Sequence, residues 1–395
     1  MTDVGPPERA PPRAGPDPAA LARDAVALAA ALIRCPSIAP EDNGAQAVLA
    51  EVLGALGFSC TPLRFGVVEN LYARIGEGRP ALCFAGHTDV VPPGGTDWSV
   101  EPFAGVIRDG VLYGRGAVDM KGNIAAFIAA AAAWLDRHGG RPPAALSLLI
   151  TGDEEGEAVD GTVKVLDWMA ERGEIPGFCL VGEPTCIDRL GDTVKIGRRG
   201  SLTARIVVEG TQGHVAYPGR ADNPVHRLVT LLSDLIARKL DHGTAWFEPS
   251  SLQITTIDVG NPASNVIPGH ASATLNIRFN DRHTAASLGA WLGEAVAAHA
   301  PRHRLELSCS GEAFLTEPGE AVERLVAAIE AATGVRPRLD TGGGTSDARF
   351  IARHCPVAEF GLVGTTMHKA DEHVPVAELG ALVRAYGSVL DAFCG

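Results

Sequence analysis

Residues 146–156 read LSLLITGDEEG. An apolar run of strand length, Leu146 to Ile150, leads through Thr151 and Gly152 straight into Asp153, Glu154 and Glu155. The same arrangement recurs along the chain. Ala81 to Ala85 leads into GHTDVV, which carries His87 and Asp89, and Phe178 to Val181 leads into GEPT, which carries Glu183. Helical patterns lie between these runs. One covers Gly122 to His138, follows Asp119 in GRGAVDMKG and is stopped by Gly139-Gly140; another covers about Thr162 to Arg172. Strands alternating with helices predict an open α/β sheet, in which functional groups gather beyond the carboxyl ends of the strands. Near the far end of the chain, MHKADEHV adds His368 to this set.

Working outward, the first eighteen residues, MTDVGPPERAPPRAGPDP, are rich in proline and poor in large apolar groups, and read as a disordered tail. Asp17 and Pro18 form an N-cap and first-turn pair, and Leu21, Ala25, Leu28 and Leu32 share one face of an opening amphipathic helix. Past Gly200 the period changes. Leu202, Ala204, Ile206 and Val208 alternate with Thr203, Arg205 and Val207, and Ala271, Ala273, Leu275, Ile277 and Phe279 alternate more cleanly with Ser272, Thr274, Asn276 and Arg278. Helices over about Pro224 to Leu240 and Ala285 to Ala300, with strands near Leu252 to Val259 and Leu305 to Ser308, complete an α+β pattern of two helices on an antiparallel sheet. The α/β rhythm resumes near Gly311. The expected organisation is therefore a tail over 1–18, a catalytic α/β domain over 19–199 and 311–395, and an inserted domain over 200–310. No internal repeats are evident.

The bulk numbers narrow the function. A chain of 395 residues exceeds one ordinary core, which favours two domains. A net charge of -13 leaves no basic surplus for a nucleic-acid partner, and an anionic substrate needs a local cluster of Arg or Lys. Eight cysteines occur singly, without a CxxC pair or a secretory signal, so the expectation is reduced thiols and a cytoplasmic protein. No apolar run approaches the length that spans a bilayer, so no membrane partner is expected.

His87, Asp119, Glu155, Glu183 and His368 are each expected just past a strand-like run. Two imidazoles and three carboxylates suit two zinc ions sharing one bridging carboxylate, with positions left open. Singly, each has a plain structural reading: a histidine closing a strand, Asp119 as a helix N-cap, Glu154 and Glu155 as a solvated turn, His368 as a surface residue. Jointly, these segments predict a two-metal hydrolase. Asp89, two residues after His87, suits support of the His87 ring through its second nitrogen. Glu154 remains as a general base beside the ligand Glu155.

GHTDVVPPG, GRGAVDMKG, TGDEEG and GEPT resemble the co-catalytic zinc amidohydrolase and aminopeptidase family that includes acetylornithine deacetylase, carboxypeptidase G and aminoacylases. The resemblance runs from about residue 20 to the C-terminus. It implies a zinc-peptidase-like catalytic domain carrying an inserted dimerisation and lid domain. It further implies two zinc ions per subunit, with cobalt as a possible substitute: one held by His87 and Glu183, the other by Glu155 and His368, with Asp119 between them. Asp89 would orient His87, and Glu154 would be the acid/base. His214 would reach across a homodimer interface to the oxyanion in the partner's site.

Within that family, KIGRRGSL (195–202), GTQGHVAYP (210–218), SNVIPG (264–269), TGGGTSDARF (341–350) and MHKADEHV (367–374) resemble the branch acting on succinylated diaminopimelate. Such a tricarboxylate calls for local cations, for which Lys195, Arg198, Arg199, Arg278 and Arg349 are candidates. Ser201, Tyr217, Asn265, Gly344 and Thr345 are the further substrate contacts the resemblance implies. Gly364, in GLVGTTMH, departs from the asparagine that many members of the branch carry before the last metal histidine. The rivals are another acyl-amino-acid hydrolase of the family and a non-catalytic metal- or peptide-binding relative. A non-catalytic relative would be expected to lack the base or a ligand, and this chain has all of them.

Overall fold

Successive side chains of a strand point to opposite faces, so a strand that is apolar at every position must be covered on both sides. Leu82–His87 and Leu146–Thr151 are buried throughout. Leu82, Phe84, Leu146, Leu148, Phe178 and Leu180 face one core, whereas Cys83, Ala85, Leu149, Cys179 and Val181 face another. A computed structural model, describing residues 17–395, shows what fills the two sides. Helices Ala25–Ile33, Lys121–Arg137, Glu320–Thr333 and Val376–Cys394 contribute to the first core. Thr162–Glu171 and Ala348–Ile351 cover the second.

The sheet has eight strands, in the order 59–65, 68–75, 146–151, 82–87, 178–181, 357–359, 193–195, 338–340. The four central strands are parallel and carry the site at their carboxyl ends; the hairpin 59–75 adds an antiparallel edge. Lys121–Arg137 is buried almost all round because it lies between the sheet and the first and last long helices. At its start Gly122 is obligatory, since a Cβ there would lie 2.2 Å from the Ala117 carbonyl oxygen.

The smaller sheet is antiparallel, ordered 251–258, 270–279, 200–209, 303–311. Leu202, Ala204, Ile206 and Val208 turn inward toward helices Pro224–Ala237 and Ala285–His299, as their alternation requires. Asn223 caps the first of these helices and Thr284 the second, the latter in a reciprocal capping box with Ser287. The chain leaves and re-enters the large unit side by side, because Gly197–Arg198 pairs with Phe314–Leu315.

Three expectations need correction. Residues 1–16 of the expected tail lie outside the described residues, while Asp17 and Pro18 begin a helix, Pro18–Leu21. The single opening helix is two, because Asp24 turns its carboxylate onto the amides of Val26 and Ala27 and starts a second helix. Asp119 follows no strand of the large sheet; it is delivered by the turn after the short strand Val111–Tyr113. Among the described residues, no helix is long and apolar enough to cross a membrane.

Candidate metal centre

His87 closes its strand, and Glu183 stands two residues past Phe178–Val181. Gly182 lets the Glu183 turn press on the sheet, since a Cβ there would lie 2.3 Å from the Phe84 ring. Glu154 and Glu155 follow Leu146–Thr151, and the Glu155 amide donates to Asp89 Oδ2 at 2.9 Å. His368 sits beyond a short 3-10 turn, Gly364–Thr366, in left-handed backbone (φ 60°) that non-glycine residues seldom adopt.

These elements converge. Asp119 Oδ1 lies 3.2 Å from His87 Nε2, and its other oxygen lies 3.2 Å from His368 Nε2. His368 Nε2 is also 2.8 Å from Glu155 Oε1, and His87 Nε2 is 3.7 Å from Glu183 Oε1. Among the described residues, three sets of side chains each bring one donor atom apiece within 4.8 Å of the others: His87, Asp119 and Glu183; His87, Glu154 and Glu155; Asp119, Glu155 and His368. Asp119 is thus shared between two ligand sets. The helix-cap reading fails, because the residue preceding Lys121–Arg137 is Met120 and no side chain caps that end.

The donor set has the charge balance of a site for cations. Five carboxylates, Asp89, Asp119, Glu154, Glu155 and Glu183, surround two imidazoles. Burial, and then the charge of Asp119, pushes Glu183 up to about 8. Burial likewise raises Glu154 well above its usual range, reinforced by Glu183, Asp347 and Glu155. Bonds to Asp119 and Glu155 push His368 up to about 10. Burial alone would raise Asp119, but His368 and His87 outweigh it and hold the carboxyl low. Dications in this cluster would relieve the crowding that lifts the glutamates.

Support for His87 differs from expectation. Its Nδ1 is 2.9 Å from the backbone oxygen of Asp89, while the Asp89 carboxylate stands 3.6 Å away. Asp89 Oδ1 is buried without a hydrogen-bond partner among the described residues, and burial raises this carboxyl to about 6. Glu154 Oε1 lies 3.9 Å from the buried guanidinium of Arg349.

A cavity of about 560 Å³ opens beside the cluster, walled by Glu183, Lys195, Arg198, Gly343, Thr345 and Gly364 among others, with Gly344 on the same wall. Its cations are already engaged. Lys195 pairs with Asp340, and Arg198 pairs with Glu359, which is 1% exposed, while donating to the Gly344 oxygen at 3.2 Å. Gly343 must be glycine here, with φ 96° and Arg198 Nη1 only 2.8 Å from where a Cβ would stand. Gly364 is also tight, a Cβ there meeting the Pro184 oxygen at 3.0 Å.

The cavity wall does not include Ser201, Tyr217, Asn265, Arg278 or His214. Ser201 is buried, and its hydroxyl accepts from Asn276 Nδ2 at 3.1 Å. Arg278 is held low by burial and by the neighbouring Arg199, which itself reaches Glu248 at 3.6 Å. His214 is exposed beside Tyr217, with ring centres 5.7 Å apart. Two buried acids escaped the sequence reading: Glu359, which seats Arg198, and Glu372, which accepts the amides of Gly116, Val118 and Asp119.

A family model described as peptidase family M20/M25/M40 matches residues 83–392. A succinyl-diaminopimelate desuccinylase of Acidiphilium cryptum is 63% identical over 375 residues, covering 95% of this chain and 98% of the relative. Among solved structures, aminopeptidase PepT of Bacillus cereus superposes with a TM-score of 0.77 at 19% identity, covering 95% of this chain and 99% of that one. The YXEP protein of Bacillus subtilis, a dinuclear metal binding peptidase from the M20 family, gives 0.72 at 15%, with 95% and 98% covered. These two structural likenesses establish the fold.

Proposed function

This chain belongs to peptidase family M20/M25/M40, and from that premise we propose that it hydrolyses N-succinyl-LL-2,6-diaminopimelate to succinate and LL-2,6-diaminopimelate. The observation that carries the hydrolytic part is Asp119, whose two oxygens each face a different imidazole at 3.2 Å. A single carboxylate so placed is what a two-metal site requires. The identity to the Acidiphilium cryptum desuccinylase supports the substrate.

His87 and Glu183 would hold one cation, Glu155 and His368 the other, with Asp119 common to both. Zinc, or cobalt in its place, supplies Lewis acidity toward the amide carbonyl and the attacking water when bound. Glu154 takes the proton from water and returns it to the departing nitrogen; its carboxylate lies within reach of His87 and Glu155 but makes none of the 2.8–3.2 Å contacts that join the ligands. Lys195, Arg198 and Thr345 form the wall for an anionic acyl end. Their internal pairing keeps the cations fixed rather than floating. Ser201, Tyr217, Asn265 and Arg278 belong to the smaller unit and would meet the substrate when that unit closes on the site.

We place the catalytic unit at 19–199 and 311–395 and the lid and dimerisation unit at 200–310, working as a homodimer in the cytoplasm. His214 then serves the partner's oxyanion, which agrees with its exposure away from the cluster of its own chain. The test is turnover of succinyl- against acetyl-substrates by the zinc-loaded protein. Faster cleavage of the acetyl amide would move the assignment to another acyl-amino-acid hydrolase.

A further inference from the structure

His87 closes a strand of the central sheet and Glu183 stands two residues past another, whereas Asp119 follows Val111–Tyr113 of a different small sheet and His368 lies well beyond the end of Val357–Glu359. Something else must fix the spacing of these two. Four residues past His368, Glu372 is fully buried. Its Oε1 accepts from the amides of Val118 at 2.8 Å and Asp119 at 3.1 Å, and its Oε2 accepts from the Gly116 amide at 3.1 Å and from Arg115 Nη1 at 2.7 Å. Its backbone oxygen takes the Gly114 amide at 2.9 Å. Amides converging from one turn form a concavity for an anion, and here a carboxylate from the His368 loop fills it.

Arg115 extends the connection. It is 2% exposed, and its guanidinium also donates to the Lys369 oxygen at 3.3 Å and the Pro92 oxygen at 3.3 Å. Lys369 adjoins His368, and Pro92 lies on the segment leading away from His87. One buried ion pair therefore touches three of the loops that bring groups to the cluster.

We propose that Glu372, seated by Arg115, is a positioning residue that holds Asp119 and His368 at the separation needed for Asp119 to serve two ligand sets. The inference rests on the metal-centre reading above, and its test separates the two. Removing Glu372 should loosen the loop-built position, Glu155 with His368, far more than the strand-built one, His87 with Glu183.

The experiment is titration of metal-free protein with cobalt(II), followed by visible absorption and calorimetry, with thermal melting measured alongside. The full-length chain is expected to take two equivalents. His368→Ala identifies the equivalent belonging to the loop-built position. Glu372→Gln is isosteric but leaves one oxygen and an amide group facing four N–H donors, three backbone amides and the Arg115 guanidinium. It should weaken that equivalent by about 10- to 100-fold, the usual consequence of losing a residue that orients a ligand, and leave the other within about threefold. Glu372→Asp keeps the charge one methylene short and should fall between. A lower melting temperature with both affinities unchanged would mean Glu372 serves only the fold, and the proposal fails. It fails equally if neither variant folds, or if both equivalents weaken together. If the unaltered protein binds no cobalt, the metal-centre reading itself is wrong.

Discussion

Replacing Glu154 by glutamine is expected to separate chemistry from metal binding. The contacts tying the ligands together run from Asp119 to His87 and His368, and from His368 to Glu155, at 2.8–3.2 Å; Glu154 makes none of them. An isosteric amide should therefore leave two metals per chain by elemental analysis. What disappears is the group that takes a proton from water and delivers it to nitrogen. Such transfers contribute about 10²- to 10⁴-fold, and because one residue serves both directions a loss of about 10³-fold in kcat is expected. That corresponds to about 4 kcal/mol of barrier at roughly 1.4 kcal/mol per decade. KM for the succinylated substrate should change little. The same substitution has an opposite effect on the metal-free protein. Burial, with Glu183, Asp347 and Glu155 nearby, raises the Glu154 carboxyl well above its unfolded value, so ionising it near neutral pH opposes folding. Glu154→Gln should melt at a higher temperature than the unaltered chain when both are stripped of metal at about pH 8. Activity within tenfold of the parent, with both metals present, would refute Glu154 as the base. Loss of a metal would refute its separation from the ligand set.

Stability of the metal-free protein should fall as pH rises. Glu183 goes from 4.5 unfolded to about 8 folded, so the folded chain keeps a proton the unfolded chain releases, and stability declines across that window. His368, raised from 6.5 to about 10, adds stability that is full below its unfolded value and lost as pH climbs through its folded one. Thermal melts between about pH 6 and about pH 9 should descend without metal and flatten with zinc; a rising profile would contradict the charge balance of the site. Arg198→Met leaves Glu359 buried without its cation and should cost about 3–5 kcal/mol, read from denaturant midpoints, with a loss under about 1 kcal/mol counting against the buried pair. His214→Ala should lower kcat with metal content intact, and mixed dimers with Glu154→Gln chains should regain activity; no recovery would end the cross-subunit role.

Much of the large sheet could be read from the sequence because its central strands are apolar on both faces and end in glycine, as at Leu146–Thr151 and Phe178–Val181. The strands of the smaller unit were legible for the opposite reason, an alternation cleanest in Ala271, Ala273, Leu275 and Ile277. What the sequence hid were choices made by tertiary partners. Asp24 reads as one more polar residue in a helix until its carboxylate is seen on the amides of Val26 and Ala27. Lys195 and Arg198 read as free cations, yet Asp340 and Glu359, more than a hundred positions away, already occupy them. Asp89 has the right spacing to face His87, but its backbone oxygen makes the contact. Glu372 carries no local signal, since its meaning lies in amides contributed by a distant turn.

The pairing of Arg115 with Glu372 spans 257 positions, and that of Glu155 with His368 spans 213. During synthesis the chain must therefore carry its acid-rich turns unfinished until its last tenth has emerged. At roughly 5–20 residues per second, the interval between Glu183 and His368 is on the order of ten seconds or more. Closing such long loops is slow, so the pocket should be the last region to become native, well after the local helices. Metal should be captured only once the terminal helix Val376–Cys394 has docked on Lys121–Arg137. In refolding experiments, cobalt uptake that ran ahead of burial of that helix would contradict this order.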